Sequence, residues 1–260
     1  MNNAPTIVVA ADAAAATNAL ANLVVEAAVQ AVNQRGRFHL CATGGSTPAA
    51  LYQSLRAPES AGRMPWKATH IWFGDDRHVP RSSPLSNLAA VDSILLAPSE
   101  ASGVSPITPE QIHAWPTESD GPSAVSNYLA RARHEGIEHT ADGVPIFDLV
   151  LIGVGSDTHC LSVFPGSPLA AVDAPVAAPV PSPAHIEPHV PRLSFSLRII
   201  GAARAVCAIA LGEGKRYAVA RILQGDEAVR DVPAKAALIP TATWIIDQAA
   251  ASELAQVTER

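Results

Sequence analysis

The sequence predicts an α/β protein, a Rossmann-like parallel-sheet domain with helices on both faces. Short apolar runs that end in glycine or polar residues recur along the chain. The run 149–152 is apolar throughout, as expected of a strand buried on both faces. Segments with helical spacing separate these runs, and the first carries Leu20, Val24 and Ala28 on one face. This alternation favours right-handed crossovers and a parallel sheet, and we expect a single domain over residues 1–260.

Composition and charge limit the classes of function. The chain has 260 residues, of which 48% are hydrophobic and 16% charged, which is enough for a sizeable core and unlike a disordered protein. The net charge is −6 and the chain has no long basic run, which argues against nucleic acid as a partner. An anionic small substrate would need a local basic pocket, because the overall field does not attract it.

The cysteines and the N-terminal segment indicate a cytoplasmic protein. Cys41, Cys160 and Cys207 are far apart and odd in number, so we expect no disulfide framework and a reducing compartment. The apolar N-terminal segment lacks a basic region and is interrupted by residues such as Asp12 and Glu26. This pattern is typical of neither a signal peptide nor a transmembrane span, and we expect no membrane partner.

The N-terminal elements follow in order. Residues 6–10 form the first predicted strand, and Asp12 is a suitable N-cap for the helix that Gly36 ends. Further strands are predicted at 38–43 and 69–73.

A glycine turn follows the second strand and precedes a helix. Gly44 and Gly45 leave backbone amides free to face a ligand, and Ser46 and Thr47 can cap the helix or donate hydroxyl hydrogen bonds. Pro48 suits the first helical position. A helix N-terminus with free amides is an anion site, most often for phosphate. The turn is neither a Walker loop nor a dinucleotide fingerprint, and an ordinary capped glycine turn is the alternative.

A charged turn follows the third strand. Asp75, Asp76, Arg77 and His78 stand together at its carboxyl end. Arg77 could bind phosphate through its planar guanidinium, and Asp75 could accept from sugar hydroxyls, orient a base or act as a base. The alternative is a solvated turn with internal ion pairs.

The middle of the chain is less informative. Residues 86–87 are expected to cap a helix, and 97–122 are expected to form mostly loop. A helix is predicted over 125–134 with Gly136 past its end, and a polar connection then leads to the central strand.

The central strand leads into the segment with the clearest chemical potential. Gly153 and Gly155 allow a sharp turn or a close approach to a ligand, and Asp157 and His159 follow two residues apart. An imidazole at a strand end can exchange a proton near neutral pH. The alternative is that Asp157 caps a helix and His159 lies on the surface.

A proline-rich segment follows. Residues 174–183 are predicted to form an extended loop. His185, Glu187 and His189 could suggest a metal site, but Pro188 argues against a helical ligand pair, and we expect no metal there.

The C-terminal part completes the sheet. A half-buried strand is predicted at 191–196 and apolar strands at 205–211 and 241–246. Lys215 opens a helix after the first of these apolar strands and could reach an anion, although a surface lysine is the alternative. Asp247 is expected to begin a C-terminal helix.

Four of these strand ends should meet, because a parallel sheet brings the carboxyl ends of its strands to one edge. The segments are 44–48, 75–80, 153–159 and 212–215. Together they describe a pocket with a phosphate cradle, basic side chains and a carboxylate–imidazole centre.

The order of these motifs is specific. They are Gly44-Gly45-Ser46-Thr47-Pro48, Trp72-Phe73-Gly74-Asp75-Asp76-Arg77-His78-Val79-Pro80 with Ser86-Asn87, Gly153-x-Gly155-x-Asp157-x-His159 with Ser162-x-Phe164-Pro165-Gly166, the strand that begins Pro191-Arg192, Gly212-x-Gly214-Lys215, and Pro240 with Trp244 and Asp247. Over nearly the whole chain this set resembles the 6-phosphogluconolactonase family of the glucosamine-6-phosphate isomerase/6-phosphogluconolactonase superfamily. Two departures stand out: Asp76 replaces the usual Glu, and Thr158 replaces the usual Gly. Threonine tolerates positive φ poorly, so we expect the departure at Thr158 to alter the pose of His159.

The resemblance implies hydrolysis of 6-phospho-D-glucono-1,5-lactone to 6-phosphogluconate in the oxidative pentose phosphate pathway, with no metal, cofactor or covalent nucleophile. It implies that His159 takes a proton from water and returns it to the ring oxygen, while Asp157 or Asp75 orients the imidazole or stabilises its charge. The residues then expected at the phosphate are Gly44, Gly45, Ser46, Thr47, Arg77, Arg192 and Lys215. The implied partner is the sugar-phosphate lactone, and we expect a monomer or homodimer.

Two other functions compete with this one. Glucosamine-6-phosphate deaminase/isomerase relatives typically show Asp-Glu-Tyr in the second motif, whereas Arg77 and the Val79-Pro80 pair favour the lactonase branch. A non-catalytic sugar-phosphate-binding domain should accompany a DNA-binding segment, and none is apparent before the first strand.

Overall fold

A computed structural model of the protein describes residues 4–98 and 103–255, except for the side chain of Ser46. The strands are β1 Thr6–Ala10, β2 Phe38–Ala42, β3 Thr69–Phe73, β4 Asp75–Arg77, β5 Ile112–His113, β6 Leu149–Gly153, β7 Ala177–Val180, β8 Arg192–Phe195, β9 Val206–Ala210 and β10 Ala242–Asp247. The α-helices are α1 Ala13–Arg35, α2 Ser46–Arg56, α3 Pro58–Ala61, α4 Leu88–Ala90, α5 Gly121–His134, α6 Arg198–Ala202 and α7 Arg216–Gln224.

Seven of the strands form one parallel sheet. Its order is β1-β10-β9-β6-β2-β3-β5, and every neighbouring pair is parallel. β2 and β9 are buried at every position, so both faces of the sheet centre are covered, and the predicted α/β class is confirmed. From β2 the chain continues to β3 and β5 on one side, and from β6 it continues to β9 and β10 on the other. The strand order therefore reverses between β2 and β6, which is where open parallel sheets bind ligands.

Helix α1 covers part of this sheet. Asp12 caps it by accepting from the N–H of Ala15 at 2.8 Å, and Gly36 ends it at φ 78°, as predicted. By length and composition α1 could cross a membrane, a test that core helices of soluble proteins also pass. Leu20, Val24 and Ala28 are buried, and the helix packs against β1, β2 and β10. It therefore serves as a core helix here.

A second sheet was not predicted. It has three antiparallel strands in the order β4-β8-β7. The expectation of a plain loop over 174–183 is wrong, because β7 lies there. Since β7 is an edge strand, the missing N–H of Pro179 does not interrupt the hydrogen bonding of the sheet. The expectation that the strand at 191–196 is half-buried is also wrong. β8 lies between β4 and β7, and all four of its residues are buried.

Two boundaries differ from the predicted ones in the middle of the chain. The predicted loop 97–122 contains the short edge strand β5. Helix α5 begins at Gly121 rather than at residue 125, because Asp120 caps it by accepting from the N–H of Ser123. Gly136 follows its end in the left-handed conformation, as predicted.

Two predicted caps act differently from expectation. Asp247 ends β10 and begins no helix; its carboxylate accepts from the N–H of Gly212 and from the N–H of Ala250, which closes a turn instead. Ser86 Oγ accepts from the N–H of the first residue of α4, but the Asn87 side chain makes no cap. It bonds to neighbours of the site instead.

Candidate active site

A cavity of about 620 Å³ opens at the carboxyl ends of β2 and β6, where the strand order reverses. Most of the predicted site residues line it: Gly44, Gly45, Thr47, Asp75, Arg77, His159, Arg192 and Lys215. Asp157 is not part of the lining and contacts His159. Ser46 begins α2 beside the cavity, and its side chain lies outside the described part of the chain. The four predicted strand ends therefore do meet.

Asp157 holds His159 in a defined position. Asp157 Oδ1 lies 2.5 Å from His159 Nδ1 and accepts from the His159 backbone N–H at 3.1 Å. Burial alone would raise the pKa of Asp157, but the hydrogen bonds and charge of His159 and a hydrogen bond from His185 outweigh it and lower this pKa below its ordinary value. An ionised carboxylate only accepts, so His159 carries its proton on Nδ1 and keeps Nε2 available as a base.

The turn that carries this pair has a left-handed backbone at position 158, although the residue there is a threonine and not a glycine. Thr158 has φ 76°, and its N–H bonds to the carbonyl of Gly155 at 3.0 Å. Thr158 thus adopts the left-handed conformation that glycine favours, and the expected effect on the pose of His159 stays a prediction. A non-glycine residue at this φ is strained. Gly155 is also required, because a Cβ there would overlap the His159 ring and the Asp157 carboxylate.

Asp75 is the first residue of β4 in the second sheet, and it lines the cavity. Its side chain is buried, and its Oδ2 accepts from the Ser162 hydroxyl at 2.5 Å. Ser162 is in turn fixed by its N–H, which donates to Ser194 Oγ on β8 at 3.1 Å. Within the described part of the chain, Asp75 is thus held by a neutral donor and forms no ion pair.

Asp76 plays a structural part next to it. Its Oδ1 accepts from the N–H groups of Arg77 and Asn87, both at 2.8 Å, and its Oδ2 accepts from Ser86 Oγ at 3.1 Å. Burial raises the pKa of Asp76 to about 6 despite these hydrogen bonds. The carboxylate ties the charged turn to the segment that carries Asn87.

Asn87 then positions Arg77. Its Oδ1 accepts from Arg77 Nη1 at 2.8 Å, and its Nδ2 donates to the carbonyl of Asp75 at 2.8 Å. Arg77 Nη1 also donates to the carbonyl of Leu85, while the buried Nε has no partner within the described residues. Gly44 is required beside this group, because a Cβ there would overlap the Asn87 side chain.

The cavity has a cationic wall. Arg77 and Arg192 lie opposite each other on β4 and β8, and Lys215 lines the same cavity. Burial, followed by the charge of Arg77, lowers the pKa of Arg192, and burial lowers that of Lys215. Among the described residues none of the three makes an ion pair with a carboxylate, so their charge is available to an anion.

The glycine turn also lines the cavity, next to the Asn87 side chain that holds Arg77. Gly45 is the N-cap of α2 at φ 104°, and no side chain that the structure describes caps this helix. The first N–H groups of α2 are therefore open to a ligand, and Thr47 and both glycines line the cavity.

Some contacts were not foreseen in the sequence. Ser162, Asn87 and His185 each bind a predicted site residue, and Phe164 packs against the His159 ring with centroids 4.8 Å apart. Ser162, Phe164 and Asn87 stand in the recognised motifs. The pairs Ser162–Asp75 and His185–Asp157 join residues 87 and 28 positions apart, which the local sequence pattern does not show.

Two groups of histidines other than His159 form hydrogen bonds of their own. His185 bonds to Asp157, and His189 Nε2 bonds to Glu187 at 3.0 Å, so these three side chains do not converge on one point. At the other end of the sheet, His70 Nδ1 and His113 Nε2 are hydrogen-bonded at 3.0 Å. This bond accounts for their proximity.

Comparison with known proteins agrees with these features. The sequence profile of the family described as glucosamine-6-phosphate isomerases/6-phosphogluconolactonase matches residues 11–245. The chain is 31% identical to the 6-phosphogluconolactonase of Streptomyces coelicolor, with 98% of this chain and 96% of the relative covered. It is 34% identical to human 6-phosphogluconolactonase, with 90% and 87% covered.

A solved structure shares the fold. The 6-phosphogluconolactonase from Trypanosoma cruzi superposes with a TM-score of 0.81 over 100% of this chain and 99% of that chain, at 23% identity. At this identity the likeness concerns the fold alone. The profile match and the two relatives establish the family: the chain belongs to the glucosamine-6-phosphate isomerase/6-phosphogluconolactonase family.

Proposed function

We propose that the protein hydrolyses 6-phospho-D-glucono-1,5-lactone to 6-phospho-D-gluconate in the oxidative pentose phosphate pathway. The observation that carries the proposal is the Asp157–His159 pair, joined at 2.5 Å, in a cavity that also holds Arg77, Arg192 and Lys215. An imidazole and three cationic side chains at one cavity support a reaction in which a base acts on a phosphorylated ester. The names of the relatives support the same reaction.

The phosphate is the handle that positions the lactone. The guanidinium groups of Arg77 and Arg192 and the ammonium of Lys215 bind it, together with the open N–H groups of the turn 44–47. Binding energy from this remote group fixes the lactone carbonyl near the base, and that is how it contributes to the rate of the chemical step.

The chemistry needs one proton carrier. His159 Nε2 takes a proton from water as the water oxygen attacks C1, and a tetrahedral oxyanion forms. The imidazolium then gives this proton to the ring oxygen as the C1–O bond breaks, which opens the ring and leaves the acid. General acid–base transfer of this kind is worth about 10²- to 10⁴-fold. A lactone is an activated ester, so the steps require neither a covalent nucleophile nor a metal.

The carboxylates of Asp157 and Asp75 have different roles in the proposed reaction. Asp157 fixes the tautomer of His159 and stabilises the imidazolium, since both of its contacts to that residue are direct. Asp75 lines the cavity and accepts from Ser162, which leaves its other oxygen to accept from a sugar hydroxyl. This division of roles is part of the proposal, since the sequence leaves the choice between Asp75 and Asp157 open.

The competing functions make different demands on the site. The family includes isomerases that act on glucosamine 6-phosphate. Those relatives have a tyrosine in their second motif where this chain has Arg77. A sensor would need no base, whereas His159 is oriented as one. We further propose a cytoplasmic location, a single domain over residues 1–260 and a monomer or homodimer, for which sedimentation would measure the oligomeric state.

The test is lactone consumption. The lactone is generated in situ and its loss is followed after subtraction of spontaneous hydrolysis, with the wild type, His159→Ala, and His134→Ala as a control at the exposed end of α5. We expect the His159 variant to lose about 10²-fold or more and the control to keep the wild-type rate. An unaccelerated reaction with folded wild type would refute the lactonase, and glucosamine 6-phosphate would be tried next. If His159→Ala hydrolysed the lactone at the wild-type rate, the base would not be His159, and Asp75 would be tested next.

A further inference from the structure

Asp157 binds two histidines, and only one of them belongs to the motif that carries it. Asp157 Oδ1 contacts His159, whereas Oδ2 lies 2.9 Å from His185 Nε2. Both oxygens are therefore engaged by imidazoles. His185 stands 28 residues further along the chain, in the segment 181–191 between β7 and β8.

The direction of these hydrogen bonds follows from the charge of Asp157. Its carboxylate is ionised near neutral pH and can only accept, so His185 donates from Nε2–H and His159 donates from Nδ1–H. His185 thereby satisfies the oxygen that His159 does not use. A carboxylate held at both oxygens cannot rotate about its last bond without losing one of the two contacts.

The segment 181–191 is itself anchored at several points. His189 Nδ1 bonds to the carbonyl of Pro183 at 2.8 Å. Arg192 donates to the carbonyls of Pro188 and Val190 at 3.1 Å and 3.3 Å. Ile186 and Glu187 of this segment line the cavity.

Phe164 gives His185 a defined place in that segment. The His185 and Phe164 rings meet edge to face with centroids 5.6 Å apart, and Phe164 also packs against the His159 ring. The phenyl ring thus lies against both imidazoles. His185 itself does not line the cavity, whereas its neighbours Ile186 and Glu187 do.

We propose that His185 is a positioning residue for the Asp157–His159 pair: it holds the second oxygen of Asp157 so that the first stays on His159 Nδ1. The proposal rests on the proposed hydrolytic function. His185 touches neither the cavity nor the reacting atoms, so its loss affects the chemical step and not the binding of the lactone.

The experiment compares His185→Ala with His185→Gln. A glutamine side chain carries an N–H donor that can reach Asp157 but does not titrate. We expect His185→Ala to lower kcat about three- to ten-fold with KM changed less than two-fold, because one half-exposed hydrogen bond to a charged group is lost. We expect His185→Gln to recover most of this loss. A rise in KM at unchanged kcat would overturn the proposal, as would a glutamine variant no better than alanine.

A control in the same segment separates positioning from loop order. His189→Ala removes an imidazole of similar exposure that contacts Glu187 and Pro183 but not Asp157. Its kcat should stay near the wild-type value, and an equal fall would show that the order of the segment matters rather than the bond to Asp157.

A second readout does not depend on the reaction. The ¹⁵N chemical shifts of the imidazoles report which nitrogen carries the proton. We expect the Nδ1–H tautomer of His159 to dominate in the wild type and in His185→Gln, and to lose population in His185→Ala. An unchanged tautomer in His185→Ala would overturn the proposal. If the wild type failed to hydrolyse the lactone, the proposed function would fail while this measurement still decided the role of His185.

Discussion

Arg77 and Arg192 face each other across the antiparallel pair of β4 and β8, and neither has a carboxylate partner among the residues that the structure describes. Like charges directly opposite on neighbouring strands are destabilising. Burial and the charge of Arg77 already lower the pKa of Arg192. The fold thus retains an unfavourable arrangement that a bound anion relieves.

Inorganic phosphate should therefore stabilise the wild type against heat, because it binds the folded state at this pair. At a phosphate concentration 100-fold above Kd the gain is about 2.7 kcal/mol. Arg192→Met should lose most of this gain and raise KM for the lactone about ten-fold or more, with a smaller effect on kcat. Differential scanning calorimetry and initial rates measure both effects. Arg81→Met is the control, since that arginine is exposed and paired with Asp92. Equal phosphate stabilisation of the Arg192 variant and the wild type would contradict the assignment.

Thr158→Gly should raise the free energy of unfolding by about 1 kcal/mol. It relieves the left-handed strain, worth about 1–3 kcal/mol, and removes a buried hydroxyl that has no hydrogen-bond partner within the described residues. Lost methyl burial and the greater freedom of the unfolded chain offset part of this gain. Urea unfolding measures the difference. Thr158→Ala removes the hydroxyl but keeps the strain, so it should gain less than glycine; a glycine variant less stable than the wild type would count against strain at this position.

Asp76→Asn should change how stability depends on pH. Burial raises the pKa of Asp76 from 3.8 to about 6 in the folded protein, so folding favours the protonated form. The stability that this group contributes is fully present below about pH 4 and is lost as the pH rises through about 6. Asparagine mimics the protonated form at every pH. We therefore expect the free energy of unfolding of Asp76→Asn minus that of the wild type to increase by about 2–3 kcal/mol between pH 4 and pH 7.

Urea unfolding at pH 4, 5.5 and 7 measures this difference for Asp76→Asn. Asp173→Asn, at the exposed surface, controls for the loss of one negative charge. A difference between wild type and Asp76→Asn that stays constant across these pH values would show that Asp76 is not shifted upward.

Gly155→Ala should leave a folded protein with little activity. The new methyl group occupies the space of the His159 ring and the Asp157 carboxylate, so the base has to move. We expect kcat to fall about 100-fold, the lower range for losing a general base. Circular dichroism checks the fold, and Gly201→Ala is the matched control, because a Cβ there meets nothing within 4 Å. Wild-type kcat in Gly155→Ala would show that the imidazole tolerates another position.

The parallel sheet could be predicted because its information is local. The apolar run of β6 and the glycine turns after β2 and β6 stand in consecutive residues, and a parallel sheet then brings their ends together. The second sheet could not be predicted in the same way. β7 contains proline and reads as a loop, and it becomes a strand only because β8 pairs with it.

The same limit applies to single residues of the site. Arg77 and Lys215 were expected at the cavity from their place at strand ends, and they line it. Asp247 looked like an N-cap, but its carboxylate binds the N–H of Gly212, which lies 35 residues away in the chain. His185 could suggest a metal ligand in the sequence because its actual partner, Asp157, is 28 residues away in the chain and close only in the fold.

The pairing of β1 with β10 has a consequence for synthesis in the cell. The first strand begins at Thr6 and its neighbour ends at Asp247, so about 240 residues must be made before β1 can pair. At roughly 5–20 residues per second this delay is on the order of 10–50 s. Throughout it, the nascent chain exposes an apolar strand, with Ile7 and Val9 outward even in the finished fold. A chain released early, before β10, would keep that strand unpaired and would be a substrate for chaperones or proteases.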